Sequence, residues 1–352
     1  MADRFTLESR PPRRVLPVVA PSTTPSGTVL APALDFGSAH STVPRTPRSV
    51  RRTSHLDSLI QGDRDAGRVM IRGAARDLRT GSEAADATVV AAATVETQLD
   101  AALTVQRLVT TPELSTLHLV GRTIGRGFRA ALDEAVPAER DASTPLYLLL
   151  DDLPVILVIT GYARQFSDDV RGGSEAGRLR NVCAGFRDEG VMMRSFDERG
   201  TIPISIGPVA GPLGRDDDPL AWHEIGELAP GAMRRRRLVE VRGGAEPTFY
   251  AYFRDTYRAS LDEPEIVMHE YQIHGSLDAD GHTVSSCVAD PLTLPWPECP
   301  HAAGSAAWIV GQTTDDIRDV VRVRFRGTDT CTHLNDLIRS LGDLSALGAV
   351  IA

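Results

Sequence analysis

The sequence predicts an α+β fold made of two similar units, each a run of antiparallel strands followed by two helices. Three observations predict it. Short stretches of alternating apolar residues follow one another from Arg51, a strong helix start lies at Thr144, and matching residues recur later in the chain. The chain has 352 residues, which is enough for two domains with a core each.

The first unit shows both types of element. A helical stretch is expected from about Leu114 to Leu132. A second helix begins at Thr144, a natural N-cap residue, with Pro145 in its first position. The strands before them are expected at Val69 to Leu78, Thr88 to Leu99 and Leu103 to Val109.

An internal repeat is the most informative feature of the sequence. At an offset of 178 residues (254 − 76), Arg76-Asp77 falls on Arg254-Asp255, and Leu99-Asp100 falls on Leu277-Asp278. The same order continues at slightly larger offsets: Thr104-Val105 with Thr283-Val284, Val120-Gly121 with Val310-Gly311, and Asp141 to Tyr147 with Asp329 to Asn335. The sequence leaves open how the two copies pack, and face-to-face packing is one arrangement.

The chain then divides into four segments. Residues 1–50 hold eight of the 23 prolines and form a flexible or draped arm, disordered by composition. Residues 51–154 form the first unit, 155–233 a connecting region, and 234–352 the second unit.

Composition excludes several functions. All 38 basic residues are arginine, so enzymes that need a catalytic lysine are excluded. The net charge of −9 argues against a nucleic-acid partner, and no apolar run is long enough to span a membrane. Four cysteines in so long a chain predict free thiols in the cytoplasm. The oligomeric state is left open, including a homo-oligomer.

The two copies differ where the second copy gains chemically active side chains. Positions needed only for folding should look alike in both, so the differences point to a site in the second unit. Ala91-Ala92 becomes His269-Glu270, Ser143-Thr144-Pro145 becomes Cys331-Thr332-His333, and the Pro112 to Val120 connection becomes a longer one that contains Pro297-Glu298-Cys299-Pro300-His301.

The Cys331-Thr332-His333 segment predicts a thiolate at a helix start. Thr332 would cap the helix, His333 would lie in its first turn, and Cys331 would lie just outside. The partial positive charge of a helix N-terminus would lower the thiol pKa, which suits a nucleophile or a metal ligand. The alternative is a small buried Cys331 and an ordinary first-turn His333.

A second Cys-x-His pair, Cys299 and His301, leaves three interpretations open. With Cys331 and His333 it would provide a ligand set that suits zinc, although the spacing differs from that of zinc knuckles. Alternatively, Cys299 and Cys331 converge with His269 on a pocket without a metal, or the segment is only a structural loop. No other cofactor is expected.

His269 and Glu270 lie on a strand from Glu265 to Ser276, where successive side chains point to opposite faces. Only one of the two can face the site, and His269 is preferred as an acid or base, with Glu270 the close alternative. Arg254, Trp296 and Thr332 are the expected substrate-binding residues. The run Arg234 to Arg237 suits either a phosphate group or a solvated face.

These motifs resemble the uncharacterised bacterial family catalogued as domain of unknown function 2889. Its Cys-Thr-His-Leu ending is matched at Cys331 to Leu334 and its Glu-Cys-Pro element at Glu298 to Pro300, with Asp329-Thr330 where glycine is usual. Features of its longer members are matched at Arg51-Arg52-Thr53, Ala75 to Arg79 and Ala221-Trp222-His223. The resemblance implies a role in catabolism of aromatic, steroid-like or acyl-CoA compounds, and supplies no activity.

The expected function is a cytoplasmic hydrolase or lyase acting on a small molecule. Cys331, His333, His269, Glu270 and Cys299 are its candidate catalytic residues. The alternative is a non-catalytic binding or assembly protein, in which the same cysteines and histidines pack the interior or hold a structural zinc ion.

Overall fold

A nine-stranded antiparallel sheet dominates the computed structural model, which describes residues 22–23, 29–62, 67–115, 118–165 and 176–351. The strand order is β3-β12-β11-β10-β9-β4-β5-β6-β7. A small second sheet contains β1, β2 and β8. The strands are β1 (Ser22–Thr23), β2 (Val29–Pro32), β3 (Leu34–Asp35), β4 (Ser49–Gln61), β5 (Arg68–Thr80), β6 (Ala87–Leu99), β7 (Val105–Thr111), β8 (Ile204–Ile206), β9 (Ala232–Arg242), β10 (Thr248–Arg258), β11 (Ile266–Leu277) and β12 (Val284–Leu294).

The helices of the described residues lie mainly over one face of the large sheet, because alternate strand residues on that face are apolar. In β5, for example, Val69 and Ile71 are buried under the helices while Arg72 points away. The helices are α1 (Phe128–Ala135), α2 (Pro137–Asp141), α3 (Pro145–Asp151), α4 (Leu153–Gln165), α5 (Val191–Arg199), α6 (Ile317–Arg324), α7 (Thr332–Ser340) and α8 (Leu344–Gly348). The predicted mixture of helices and antiparallel strands is therefore confirmed.

The two four-stranded segments, β4 to β7 and β9 to β12, join edge to edge through antiparallel pairing of β4 with β9. The packing that the sequence left open is therefore edge to edge and not face to face. Edge pairing satisfies the backbone groups of β4 and β9, and it leaves one continuous sheet for all the helices to cover.

The arginine run lies inside β9, in the middle of the sheet, and is neither a surface patch nor a phosphate site. Its side chains pair with carboxylates on both faces of the sheet: Arg234 with Asp57, Arg235 with Asp255, Arg236 with Glu265, and Arg237 with Asp152. Buried charges are tolerated only when they are paired in this way.

The pairing registers of the two segments share two irregularities. A β-bulge falls between Asp77 and Leu78 in one segment and between Asp255 and Thr256 in the other. A second bulge follows Gln98 in the first segment and Ser276 in the second. In both cases the equivalent positions are separated by the offset found in the sequence.

Residues 29–50 of the proline-rich arm lie against the sheet, so the draped arrangement is observed there and the disordered one is not; residues 1–21 and 24–28 lie outside the described residues. The reason is that this segment satisfies buried groups on the sheet face away from the helices. The carbonyl oxygens of Val43 and Pro44 accept hydrogen bonds from the fully buried Arg51.

Two predicted boundaries differ from the structure. The helix expected from Leu114 to Leu132 is confined to α1, since the glycine-rich stretch before Phe128 forms turns. The boundary between residues 154 and 155 falls inside α4, which packs on β4 and β9 and so links the two segments.

Among the described residues, no single helix has the length and apolar composition needed to cross a membrane. Only α3 together with α4 reaches that length, and the pair is bent by 47° at the break between them.

Candidate functional site

Three charged or polar side chains lie side by side across β9, β10 and β11, on the sheet face that the helices cover. In the strand register Arg235 is opposite Asp255, and Asp255 is opposite His269. Directly opposed residues on neighbouring strands point to the same face. The Arg235 guanidinium donates two hydrogen bonds to the Asp255 carboxylate, at 2.7 Å each, and both side chains are buried.

His333 approaches this row from the first turn of α7. Helix α7 begins after Cys331, whose backbone is extended (φ −128°, ψ 126°) and whose carbonyl accepts from the Asn335 N–H at 2.8 Å. Cys331 is therefore the N-cap residue and Thr332 is the first helical residue, one position away from the prediction. His333 lies in the first turn, as expected.

His269 and His333 stack at the centre of the site. Their ring centroids are 3.8 Å apart and the ring planes are inclined by 17°. One ligand atom each from Asp255, His269 and His333 lies within 4.8 Å of the other two, and all three residues are buried. Among the described residues, this group is able to hold a metal ion.

Two ring nitrogens of this pair lack hydrogen-bond partners. The Nδ1 atom of His269 and the Nε2 atom of His333 are buried and unbonded within the described structure. A buried polar atom without a partner costs about 1–3 kcal/mol, so each such atom needs an explanation, and a bound water or ion is one of them.

Both imidazoles are held in the neutral form, which is the form that binds metals. Burial lowers the pKa of His269 well below its usual range, and the neighbouring His333 lowers it further. Burial, followed by the positive charge of Arg235, likewise lowers the pKa of His333.

Cys331 contacts the site, and its surroundings favour the alternative of a small buried thiol over the thiolate. Its Sγ atom lies 3.9 Å from the His333 Nδ1. Burial raises the pKa of Cys331 to about 12, a larger effect than the opposing hydrogen bonds from the backbone at the helix start. Cys331 is therefore a neutral thiol beside His333.

Cys299 and Trp296 lie in a neighbouring part of the core. Burial raises the pKa of Cys299 well above its usual value, and the nearby Cys331 and Cys183 raise it further. A side chain at Gly185 would come within 3.1 Å of the Cys299 sulfur and 3.4 Å of the Trp296 ring, so this glycine permits their close packing. Both residues are buried in the same core cluster as Cys331.

Glu270 and Arg254 lie on the opposite face of the sheet and form a separate buried ion pair. Their shortest N–O distance is 2.7 Å, and both side chains are fully buried. Glu270 also accepts hydrogen bonds from Tyr252 and from the Ser38 hydroxyl. The alternation along β11 thus brings His269 to the site. Glu270, predicted as catalytic, and Arg254, predicted to bind the substrate, contact each other on the other face.

His301 does not join the other three candidate metal ligands. Its side chain is 55% exposed, and its Nε2 lies 3.0 Å from an Asp329 carboxylate oxygen at the surface. The set of Cys299, His301, Cys331 and His333 is therefore not assembled. Thr332 lies at the edge of the site, with its hydroxyl 3.4 Å from the His333 Nδ1.

Three residues of the site were missed from the sequence. Asp255 aligns with Asp77 at the offset of 178 residues, so the differences between the two aligned stretches do not mark it. Arg235 belongs to the arginine run for which the sequence predicts either a phosphate group or a solvated face. Tyr162, near the end of α4, meets the His269 ring edge-on at 5.7 Å, and no motif marks it.

The first segment contains the corresponding row without the histidines. Arg52 holds Asp77 by two hydrogen bonds of 2.7 Å, as Arg235 holds Asp255. The residue opposite Asp77 on β6 is Ala91, in the position that His269 has in the second segment. Arg52 gains a further carboxylate partner, Asp343, at 2.7 Å.

Residues 233–346 match the family described as "Protein of unknown function (DUF2889)", the family that the motifs resemble. The matched range contains Arg235, Asp255, His269, Cys331 and His333. Neither the curated proteins nor the solved structures include a match to this chain.

Proposed function

We propose that the DUF2889 segment of this chain is a divalent-metal centre, with Asp255, His269 and His333 as its ligands. The observation that carries the proposal is the pair of buried imidazole nitrogens without partners beside one carboxylate. Zinc suits two imidazoles and a carboxylate, and iron(II) uses the same set of ligands.

The side chains must move slightly to bind an ion. Metal–ligand bonds of about 2.0–2.1 Å in tetrahedral geometry place ligand atoms roughly 3.4 Å apart. The three candidate atoms lie within 4.8 Å of one another, and stacked rings cannot both direct a nitrogen at one point. Rotation of the two imidazoles about their side-chain bonds is therefore part of the proposal.

We propose that the centre serves a cytoplasmic hydrolase or lyase that acts on a small molecule in catabolism. A divalent ion at these ligands would supply a Lewis acid that polarises a carbonyl or acyl oxygen. Three protein ligands leave a coordination position open, as in catalytic sites. Arg235 fixes the orientation of Asp255, and the neutral Cys331 lies beside His333.

The internal duplication is part of this proposal. Its support is the agreement between the sequence offset and the two shared β-bulges, together with the repeated Arg–Asp pairs. In this scheme the first copy keeps the pair that folding needs, and the second copy has gained the two histidines.

One observation favours a second candidate function, a structural metal centre in a non-catalytic protein. His269 is 3% exposed and His333 is 7% exposed, so access of a substrate would require movement of the surrounding residues. A structural ion contributes directly to folding, whereas a catalytic ion is removable from a folded protein.

Metal analysis tests the shared part of the two candidates. The purified protein, exposed in turn to Zn²⁺, Fe²⁺ and Mn²⁺ and then dialysed, should keep about one ion per chain. His269→Ala should lose it. The matched control is His274→Ala, because His274 lies on the same strand, is 41% exposed and pairs with Asp290. Equal metal content in both variants, or no retained ion in the wild type, would overturn the proposal.

Two further measurements separate catalysis from a structural role. Removal of the ion by a chelator should leave circular dichroism unchanged if the centre is catalytic, and should unfold the protein if it is structural. A deletion strain complemented with His269→Ala should accumulate the same small molecule as the uncomplemented strain, whereas complementation with His274→Ala should not.

A further inference from the structure

Cys183 and Cys331 lie on either side of one backbone hydrogen bond. The Ala184 N–H donates to the Thr330 carbonyl oxygen at 2.8 Å, so the residue after Cys183 is joined to the residue before Cys331. Both cysteines have extended backbones, with φ −156° and ψ 175° at Cys183 and φ −128° and ψ 126° at Cys331. In antiparallel strands, residues related in this way lie opposite each other with Cα atoms about 4.5 Å apart, and disulfides form at Cα distances of about 4.4–6.8 Å.

The sulfur of Cys183 also lies against the start of α7. The Thr332 N–H donates a hydrogen bond to it, and Thr332 directly follows Cys331, the N-cap residue. Burial is the main cause that raises the pKa of Cys331, and Cys183 is the next, which requires the two thiols to be close. The Cys183 side chain therefore points toward Cys331.

The two thiols differ in their access to solvent. Cys331 is buried, whereas Cys183 is only half-buried, so a small oxidant reaches Cys183 first. Burial raises the pKa of Cys183, against the effect of hydrogen bonds from backbone N–H groups. Little thiolate is then present near neutral pH, and oxidation is slow. The final extent of oxidation is therefore the quantity to measure.

The other two cysteines provide internal comparisons. Cys299 is a third thiol close to the pair, since Cys331 and Cys183 both add to the effect of burial in raising its pKa. Its sulfur packs against the Gly185 backbone, 3.1 Å from where a side chain there would begin. Cys287, on β12, is buried apart from the other three, because burial is the one cause that raises its pKa.

We propose that Cys183 and Cys331 are a redox-sensitive pair that forms a disulfide bond when a peroxide oxidises the protein. The S–S bond forms as the O–O bond of hydrogen peroxide breaks. Together the two thiols lose two electrons and two protons, and the peroxide takes up both to give two water molecules. Exchange with a small thiol such as glutathione returns the bond to two free thiols, so the modification is reversible. It needs no metal ion and is independent of the proposed metal centre.

Peptide mapping of the wild-type protein tests the pairing. The folded protein is treated with hydrogen peroxide, its remaining free thiols are blocked, and it is digested with trypsin, which cleaves after arginine. The cysteines then fall in three peptides: 181–187 with Cys183, 327–339 with Cys331, and 259–318 with both Cys287 and Cys299.

Mass spectrometry should find peptide 181–187 linked to peptide 327–339 at least about tenfold more often than either is linked to peptide 259–318. The crosslinked chain should migrate as a monomer on a non-reducing gel. A preferred link to peptide 259–318, a link found only in dimers, or no linked peptide after prolonged oxidation would overturn the proposal.

Single variants assign the bond to these two residues. Cys183→Ser should remove the linked peptide. Cys299→Ser and Cys287→Ser, which each remove a buried thiol outside the pair, should leave its yield unchanged. Loss of the link in a folded Cys299→Ser protein would show that Cys299 takes part in the bond and would contradict the proposal.

Stability shows whether the folded protein accommodates the bond. The crosslink closes a loop of about 150 residues, so the oxidised protein should unfold at a higher urea concentration than the reduced protein. Peroxide-treated Cys183→Ser is the matched control for oxidation of methionine, and it should show no such increase. A lower midpoint for the oxidised wild type than for this control would mean that the bond distorts the fold, against the proposal.

Discussion

Two buried arginine–aspartate pairs with the same geometry have different surroundings. Asp255→Asn leaves Arg235 without its bidentate partner and should lower the free energy of unfolding by about 3–5 kcal/mol. Asp77→Asn should cost less, because Arg52 keeps Asp343 at 2.7 Å. Denaturant titration measures both effects. Metal affinity should fall only in Asp255→Asn, and an equal fall in Asp77→Asn would contradict the assignment of Asp255 as a ligand.

The hydrogen-bonded histidines His55 and His223 predict a dependence of stability on pH. Burial lowers the pKa of His55 to about 3, and the positive charges of Arg234 and Arg236 contribute. Burial also lowers the pKa of His223 to about 3, with contributions from His55, Arg76 and Arg234. Between pH 6.5 and 3 the unfolded chain then binds more protons than the folded chain. Stability from these groups is complete above pH 6.5 and is lost as the pH falls.

A variant isolates this contribution from those of other buried groups. His269 and His333 act in the same direction, because burial lowers their pKa values too. Asp152 acts oppositely: burial raises its pKa to about 6, so its contribution is lost as the pH rises through that value. His223→Gln should reduce the loss of stability between pH 7 and pH 5 by roughly 1–2 kcal/mol. Unfolding curves at the two pH values measure the change, and an unaltered pH slope would rule out the explanation.

At the scale of single elements, the two helix starts that the sequence alignment pairs are capped differently. The Thr144 hydroxyl accepts from the Tyr147 N–H at 3.1 Å, whereas Cys331 caps α7 without a side-chain hydrogen bond. Thr144→Ala should therefore destabilise the protein by about 1 kcal/mol, and Thr332→Ala should have little effect. Thermal unfolding should show a decrease of about 2 °C for the first only. A larger decrease for Thr332→Ala would contradict the observed cap.

The elements also show which parts of the site the sequence could predict. Strand alternation was sufficient to place the side chains of His269 and Glu270 on opposite faces of the sheet. The aligned helix start was sufficient to place His333 in a first turn. The state of Cys331 was not predictable, because the helix terminus and burial shift its pKa in opposite directions and only the fold sets their balance. Asp255 was missed because its role in folding and its proposed role as a ligand use the same carboxylate.

For the whole molecule, local patterns predicted the strands but not how the two segments combine. Face-to-face packing and edge pairing both bury apolar faces, and the sequence distinguishes them only through residues such as Arg234 and Arg235. Their partners, Asp57 and Asp255, lie on neighbouring strands of one sheet. A continuous sheet supplies both carboxylates, whereas two stacked sheets would leave central charges in an apolar layer.

If the two segments descend from one unit, the first should accept the site of the second. Ala91 is opposite Asp77 as His269 is opposite Asp255, and Pro145 starts α3 in the position aligned with His333. The double variant Ala91→His, Pro145→His should therefore bind a second divalent ion, and each single variant should not, because one imidazole and one carboxylate make an incomplete set. Metal analysis gives the number of ions per chain. The separate variant His274→Ala, which loses an imidazole outside the site, is the control. A folded double variant that still binds one ion per chain would show that the first segment differs from the second in more than these two side chains.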